Sequence, residues 1–223
     1  MEKYPKINII YEDNHILVVE KPINIPVQED STKDVDLLTI LKKYLKEKYN
    51  KPGNVYLGLV HRLDRPVGGI MVFAKTSKAA SRLSKSITTN NFHKTYYAVV
   101  IGNLKKEDKL VDYLKKNSKN NISYISNNKE GKLSILTYNL IAKKNNLNLV
   151  KIKLQTGRSH QIRVQFASRN NPLVGDQKYN NQEKNNTQIA LFAQSITFPH
   201  PITKEPLTYS LPLPNRYPFN IFK

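Results

Sequence analysis

Short apolar runs separated by polar breaks predict more strands than helices along this chain. Apolar and β-branched residues fill positions 7–11 and 16–20, and Asp13-Asn14 between them indicates a hairpin or another tight connection. The runs at 133–141 and 147–154 flank a polar turn, so we expect these two strands to pair. Similar runs predict strands at 55–60, 70–74, 95–101 and 188–198, with a short one at 122–125.

Helical signals are fewer and do not alternate regularly with the strands. Positions 37–49 carry an apolar stripe with lysine and glutamate on the other face. Thr76 or Ser77 can cap a second helix that continues to about residue 87, and a third is expected over 159–168. This order predicts an α+β fold with a mixed, mainly antiparallel sheet. Since no repeat or linker is visible, we expect a single domain over residues 1–223.

Two polar segments interrupt this pattern. Residues 105–128 are rich in lysine and asparagine and show little periodicity, which indicates an insertion or a mobile connection. Residues 180–187 are expected to form a polar loop.

The composition adds a strong positive charge. Lysine and arginine number 36 against 17 acidic residues, for a formal net charge of +19. Acidic residues are absent from 65–106 and from 131–175, the two stretches that contain or border the candidate site residues. Such a charge favours a polyanionic partner, although a composition rich in lysine and asparagine also arises from an AT-rich genome.

Several classes of protein are excluded or disfavoured. The chain has no cysteine, which rules out disulfides and thiolate metal sites. No apolar run approaches the roughly 18 residues of a membrane span, and the N-terminus lacks the pattern of a secretory signal. We therefore expect a cytoplasmic protein.

The first cluster of candidate catalytic residues is His61-Arg62-Leu63-Asp64-Arg65, at the end of an apolar run. Two neighbouring arginines favour the ionised form of Asp64. An ionised carboxylate on a loop is suited to act as a nucleophile or a metal ligand, but a surface network of ion pairs has the same composition. Gly68-Gly69 lets the backbone pass close to a ligand or simply ends a turn.

A second cluster lies at 156–163 and contains Arg158, His160 and Arg163. These arginines can bind phosphate or pair with a carboxylate, and a helix beginning here would add affinity for anions. A capped helix with a solvated basic face is the alternative. Between the clusters, Tyr96 and Tyr97 alternate on a strand, so one of them faces the core, and a tyrosine in a cleft can stack on a nucleobase.

Other familiar motifs are absent from the sequence. The five histidines lack the spacing of a zinc site, no glycine-rich phosphate loop occurs, and no Gly-x-Ser-x-Gly elbow supports a hydrolase triad. We expect neither a metal nor a cofactor.

The motifs, taken in order, resemble the RluA-type RNA pseudouridine synthases. Residues 61–75, which begin with His-Arg-Leu-Asp-Arg, are similar to the signature of that family. Further matches follow the family's order from about residue 7 to 212: Val18-Val19-Glu20-Lys21-Pro22, Lys94-Thr95-Tyr96-Tyr97-Ala98, the run 154–163, Gly175-Asp176-Gln177-Lys178-Tyr179 and Phe198-Pro199-His200-Pro201. Because the first match starts so early, we expect no S4-like module before the catalytic domain.

The resemblance implies a sheet with flanking helices and a central catalytic cleft. It also implies that Asp64 is the catalytic aspartate, that Tyr96 is the active-site tyrosine and that Arg163 pairs with Asp64. The sequence departs from the family at Val67-Gly68, Gln165 and Phe192, which puts the RNA target in doubt more than the activity. We expect RNA contacts from Arg62, His61, Arg65, Arg158, His160, Lys75 and Lys94.

The expected function is isomerisation of specific uridines in structured ribosomal or transfer RNA, by a monomer without cofactor. A catalytically inactive RNA-binding protein is the alternative. A metal-dependent nuclease is disfavoured by the acid-free stretches, because it would usually need clustered carboxylates.

Overall fold

A computed structural model describes residues 4–127, 130–181 and 187–223 of the chain. It contains three α-helices, eleven strands and one 3-10 turn in these ranges. The helices are α1 (Leu37–Lys48), α2 (Ser77–Thr88) and α3 (Gln161–Ala167), and the 3-10 turn is Phe219–Phe222. The strands are β1 (Asn8–Glu12), β2 (Ile16–Lys21), β3 (Gly58–Leu59), β4 (Gly68–Ala74), β5 (His93–Ile101), β6 (Glu107–Asn117), β7 (Ile122–Ile125), β8 (Lys132–Lys144), β9 (Leu147–Leu154), β10 (Leu191–Pro199) and β11 (Pro206–Ser210).

The described residues form two compact units, and β10 passes from the second unit into the first. The first unit contains the chain up to His93 together with Ser195–Leu211, and the second contains the described parts of Lys94–Gln194 with Pro212–Lys223. The prediction of one catalytic domain over 1–223 stays a prediction. None of the described helices is long and apolar enough to cross a membrane.

In the first unit, β2 pairs antiparallel with β1 on one side and with β4 on the other. Every residue of β4 is buried, which explains its almost continuous apolar sequence. Asp36 and Thr76 cap the two helices by accepting the backbone amides of Thr39 and Ala79. The core combines β2, β4, α2 and the end of β10: Ile16, Val18, Ile70, Val72, Leu83, Ile196 and Phe198.

The second unit is built on an antiparallel sheet in the order β5-β9-β8-β6-β7. Helix α3 packs against one face of this sheet, where the rings of Phe166 and Tyr138 lie 5.2 Å apart. Gln165 of the same helix donates to the carbonyl oxygen of Ser134 on β8. Helix α3 is the only α-helix of this unit among the described residues, and the 3-10 turn Phe219–Phe222 also contacts β8.

The largest difference between prediction and structure lies in the segment 105–128. The sequence predicted an insertion or a mobile connection there, but the segment contains the eleven-residue strand β6. Leu110 and Leu114 point inward from β6, but Asp112 occupies the inward position between them. Arg169 pairs with this carboxylate at 3.0 Å, which compensates its burial. A polar residue at an inward position broke the period-two pattern that would have predicted the strand. The short strand 122–125 was predicted correctly.

Three other differences are local. The run 55–60 contains only the two-residue strand β3, because only Gly58 and Leu59 pair with the end of β4. Helix α3 begins two residues later than predicted and has seven residues, so we no longer expect its N-terminus to bind an anion. Strand β11 in the proline-rich tail was not predicted. Most of the predicted loop 180–187 lies outside the described residues.

Candidate active site

Asp64 lies in a tight turn between β3 and β4 of the first unit. Its carbonyl oxygen accepts the amide of Val67 at 2.9 Å. The side chains of Leu63 and Val67 are buried on either side of it, whereas the Asp64 side chain is only half-buried. The turn is therefore anchored by its apolar residues and leaves the carboxylate accessible at the surface of its unit.

Lys21, a fully buried lysine at the end of β2, stabilises this turn through hydrogen bonds to its backbone. Its Nζ donates to the carbonyl oxygens of Pro22, Arg65 and Val67 at 2.8 to 2.9 Å. Burial lowers the pKa of Lys21 to about 7, while the nearby charge of Asp64 raises it. The sequence marked Lys21-Pro22 as part of a motif, and the structure gives this lysine the task of fixing the backbone on both sides of Pro66.

The two glycines after the turn allow the backbone to pack closely and to adopt a positive φ. A Cβ on Gly68 would lie 3.0 Å from Cγ2 of Ile23 and 3.2 Å from the carbonyl oxygen of Lys21. Gly69 has a φ of 126°, which side chains disfavour. Of the two explanations left open by the sequence, the structure supports the one in which the glycines shape the turn.

The side chain of His61 is buried and is therefore not accessible to RNA. Its Nε2 accepts the backbone amide of Val72 at 3.1 Å, and its ring lies 5.4 Å from that of Phe92. We therefore revise the expectation that His61 binds RNA, because the hydrogen bond of its ring joins the segment before Asp64 to β4.

The two arginines beside Asp64 have different surroundings. Arg62 is exposed and makes a long contact of 3.5 Å with Gln28. Arg65 donates to Thr32 at 2.9 Å and pairs with the carboxylates of Asp30 and Asp34. The RNA contact expected of Arg62 stays a prediction, whereas a phosphate would have to compete with two carboxylates for Arg65.

Lys75, also expected to contact RNA, is part of an internal network instead. Its ammonium group pairs with Glu12 at 2.8 Å and donates to the carbonyl oxygen of Asp13. Only 10% of its side chain is exposed. We revise this expectation too, because Lys75 attaches the first hairpin to the end of β4.

In the second unit, Tyr96 and Tyr97 alternate on β5 as the sequence predicted. Tyr96 is buried on the face that also carries α3, while Tyr97 points to the opposite face and is half-buried. Lys94 shares the face of Tyr96, and burial lowers its pKa. Its Nζ lies near the turn at Gly157, where an added Cβ would be 3.8 Å away.

Arg163 makes a buried, two-fold hydrogen-bonded pair with Asp176. Its Nε and Nη2 donate to the two carboxylate oxygens at 2.8 and 2.7 Å. The amides of Lys178 and Tyr179 donate to the same carboxylate. This pair fixes the plane of the guanidinium group, and the expected pairing of Arg163 with Asp64 stays a prediction.

Tyr179 connects this pair to the motif that precedes α3. Its hydroxyl is hydrogen-bonded to Nδ1 of His160 at 2.7 Å and accepts the amide of Ser123. The guanidinium carbon of Arg163 lies 5.1 Å from the centre of the Tyr179 ring. His160 is buried, with a φ of 53°, so it supports the loop rather than facing RNA as expected. Arg158 is exposed and donates to the carbonyl oxygen of Leu133.

The family of the chain follows from comparison with known proteins. A model of the family described as RNA pseudouridylate synthase matches residues 15–168. The chain belongs to this family. The match includes the Asp64 turn of the first unit and, in the second unit, Tyr96 and Arg163. The family expected from the motifs is thereby confirmed.

Three bacterial proteins illustrate the similarity of this RNA pseudouridylate synthase family member to curated relatives. It is 33% identical to ribosomal large subunit pseudouridine synthase D of Blochmanniella floridana, over 93% of this chain and 70% of that protein. It is 30% identical to the uncharacterized RNA pseudouridine synthase YhcT of Bacillus subtilis, over 95% and 70%. It spans 66% of the length of synthase D from Xanthomonas campestris, to which it is 29% identical.

Two solved structures share the fold of this family member. Human RNA pseudouridylate synthase domain containing 4 superposes with a TM-score of 0.79 at 19% identity, covering 93% of this chain and 88% of that one. The domain containing 1 protein gives 0.76 at 22% identity, covering 95% and 86%. These likenesses, with the antiparallel sheets, confirm the expected α+β fold.

The sequence did not predict that Lys21, Asp176 and Tyr179 support the candidate site residues. A signal for Asp176 was present, because it is the first acidic residue after the acid-free stretch 131–175. An acid that ends such a stretch beside an arginine-rich motif is a natural partner for one of its arginines. No group of His, Asp and Glu side chains able to hold a metal ion occurs within the described ranges.

Proposed function

We propose that this protein isomerises specific uridines to pseudouridine in structured RNA, with Asp64 as the catalytic residue. The observation that carries the proposal is the Asp64 turn: an accessible carboxylate in the family's motif, on a backbone fixed by three hydrogen bonds from buried Lys21. Preorganisation of this kind is what a catalytic group needs. Several relatives are named ribosomal large subunit pseudouridine synthases, which makes ribosomal RNA the first substrate to test and transfer RNA the second.

The reaction rearranges one nucleotide and needs no second substrate. The bond from the ribose C1′ to N1 of uracil breaks, the base turns, and a bond from C1′ to C5 forms. C5 loses a proton and N1 gains one, so atoms and electrons balance. Asp64 acts as a carboxylate that attacks the ribose or deprotonates it to form a glycal; addition to the uracil ring is the older alternative.

The remaining residues have supporting roles in this proposal. Tyr96 stacks on the flipped uracil and assists a proton transfer. Arg163, with its guanidinium plane fixed by Asp176, keeps Asp64 ionised. Arg62 fills the space that the base leaves, and extrusion of that base costs on the order of a few kcal/mol. We propose that the protein acts as a monomer in the cytoplasm.

The test compares Asp64→Ala with a matched carboxylate variant, Glu29→Ala, an exposed position in the same unit. Each protein is incubated with total RNA from a strain that lacks the gene, and pseudouridines are mapped. We expect new pseudouridines with the wild type and Glu29→Ala, and none with Asp64→Ala. Formation at the wild-type rate by Asp64→Ala would show that this aspartate is not catalytic.

The same assay separates the two alternatives. An inactive RNA-binding protein would retain the RNA without forming pseudouridine. A metal-dependent nuclease would shorten the RNA and stop when EDTA is added. We expect intact RNA and pseudouridine formation that survives EDTA, provided that spermidine replaces Mg²⁺ to keep the RNA folded.

A further inference from the structure

The sheet of the second unit has a face opposite α3 that the proposed chemistry does not use. Val99 and Leu149 are buried at one end of this face, and the rest of it contains exposed side chains. Side chains on this outer face alternate with those that face α3, Tyr96 and Lys94. The cross-strand register gives two rows that each run over β5, β9, β8 and β6. They are Tyr97-Lys151-Asn139-Glu107 and Thr95-Lys153-Thr137-Lys109.

Three of the lysines on this face have no acidic partner among the described residues, whereas Lys115 on the same face pairs with Glu130 at 2.7 Å. Among the residues that the structure describes, Lys109, Lys151 and Lys153 take part in no ion pair. The only acidic residue in the two rows is Glu107, which accepts a hydrogen bond from Asn139. Lys151 and Lys153 lie on β9 and Lys109 lies on β6, with β8 between them. Uncompensated lysines spread over a sheet whose adjacent strands are about 4.8 Å apart create a positive surface that fits a chain of phosphates.

The same face continues into exposed apolar and aromatic side chains. Val111 of β6 is opposite Ile135 of β8, and Leu133 is opposite Tyr113. Val111 is 47% exposed and Leu133 is 39% exposed. At the edge, Tyr124 of β7 is 47% exposed and opposite Lys115. Large exposed apolar patches mark interaction sites, and tyrosines on an open sheet face are stacking platforms for bases.

We propose that this outer face binds a single-stranded segment of RNA, separately from the uridine that is modified. Its lysines contact phosphates, and Tyr97, Tyr113 and Tyr124 offer ring faces to unpaired bases. Threonine and asparagine side chains between the lysines supply hydrogen bonds to the sugar and base edges. The proposal rests on the proposed function only for the choice of RNA as the ligand, because the face opposes the one that carries Tyr96.

The test measures the affinity of the full chain for a twelve-nucleotide RNA of adenosine and cytidine, by fluorescence anisotropy at several salt concentrations. Without uridine, this probe does not depend on catalysis. The variant Lys109→Gln/Lys153→Gln is compared with Lys46→Gln/Lys78→Gln, two exposed lysines of α1 and α2 that remove the same charge. Thermal melting checks that each variant is folded.

We expect Lys109→Gln/Lys153→Gln to bind about tenfold more weakly near 0.1 M salt and to lower the slope of log K against log salt by about 1.4, since each phosphate contact on a single strand contributes about 0.7. The control pair should change the affinity less than about twofold and leave the slope unchanged. Tyr113→Leu should weaken binding at least about fivefold with an unchanged slope, because stacking contributes about 1–3 kcal/mol per base.

Equal affinity and slope for Lys109→Gln/Lys153→Gln and the wild type would overturn the proposal. A wild-type dimer in sedimentation that Val111→Lys abolishes, with RNA binding unchanged in the lysine variant, would assign the face to a second copy of the chain instead. Pseudouridine formation by Asp64 is measured independently, so loss of either result leaves the other standing.

Discussion

The guanidinium group of Arg163 donates two parallel hydrogen bonds to the carboxylate of Asp176, and both side chains are almost fully buried. The carboxylate also accepts two backbone amides from the segment that follows it. All of these bonds have good geometry, which is the condition under which a buried ion pair is tolerated. Asp176 therefore fixes the orientation of Arg163 in the motif 154–163.

Removing this carboxylate charge should destabilise the protein strongly. We expect Asp176→Asn to lower the free energy of unfolding by about 3–5 kcal/mol, because it leaves a buried guanidinium uncompensated. The control is Glu47→Gln, which removes a surface partner of Lys43 at 3.9 Å and should cost less than about 0.5 kcal/mol. Urea denaturation measures both, and similar losses for the two variants would contradict this account of the pair.

Replacing Lys21 tests whether the Asp64 turn depends on it. Lys21→Met keeps the apolar stem but leaves the carbonyl oxygens of Pro22, Arg65 and Val67 without their donor. We expect a loss of about 2–4 kcal/mol in stability, with a lower kcat in the fraction that remains folded. Lys46→Met, at an exposed position of α1, is the matched control. A variant as stable and active as that control would show that the Asp64 turn does not depend on Lys21.

Tyr96 should have separable roles in binding and in proton transfer. Tyr96→Phe keeps the ring, so the affinity for RNA should stay within about threefold of the wild type. Its single-turnover rate should fall by about 10²-fold or more, which is the usual contribution of a positioned acid or base. Tyr96→Ala should lose both. If the phenylalanine variant reacts at the normal rate, the hydroxyl takes no part in the chemistry.

Acid should weaken the first unit through Glu12. Burial raises the pKa of this carboxyl, but hydrogen bonds from Lys48, Lys75, Tyr49 and Tyr44 lower it by more. The net result is a pKa of about 2. The folded value thus lies below the ordinary value of 4.5, so the stabilisation is complete above pH 4.5 and is lost as the pH falls toward 2.

Glu12→Gln isolates this effect from the titration of other acids. We expect the wild type to lose about 2 kcal/mol more than Glu12→Gln between pH 6 and pH 3, from the shift in pKa. Urea denaturation at the two values measures the difference. Parallel losses in the two proteins would show that the network around Glu12 does not depend on its charge.

Elements with clear local patterns could be predicted from the sequence. The run Leu147–Leu154 and the short strand Ile122–Ile125 match the structure to the residue, and Thr76 caps α2 as expected. Strand β6 was missed because Asp112 lies at an inward position, and its partner Arg169 is 57 residues away. No local pattern can show that a distant arginine will compensate a buried acid.

In the candidate site, too, some features could be predicted from the sequence and others required the tertiary structure. The pattern of strands and helices indicated the α+β fold, and the order of motifs indicated the family and the candidate residues Asp64, Tyr96 and Arg163, since residue types and spacing are local properties. Only the tertiary structure showed that Lys21 holds the Asp64 turn and that His61 and Lys75 serve their own unit. Their roles depend on hydrogen bonds between segments far apart in the chain, because buried polar groups must find partners wherever folding brings them.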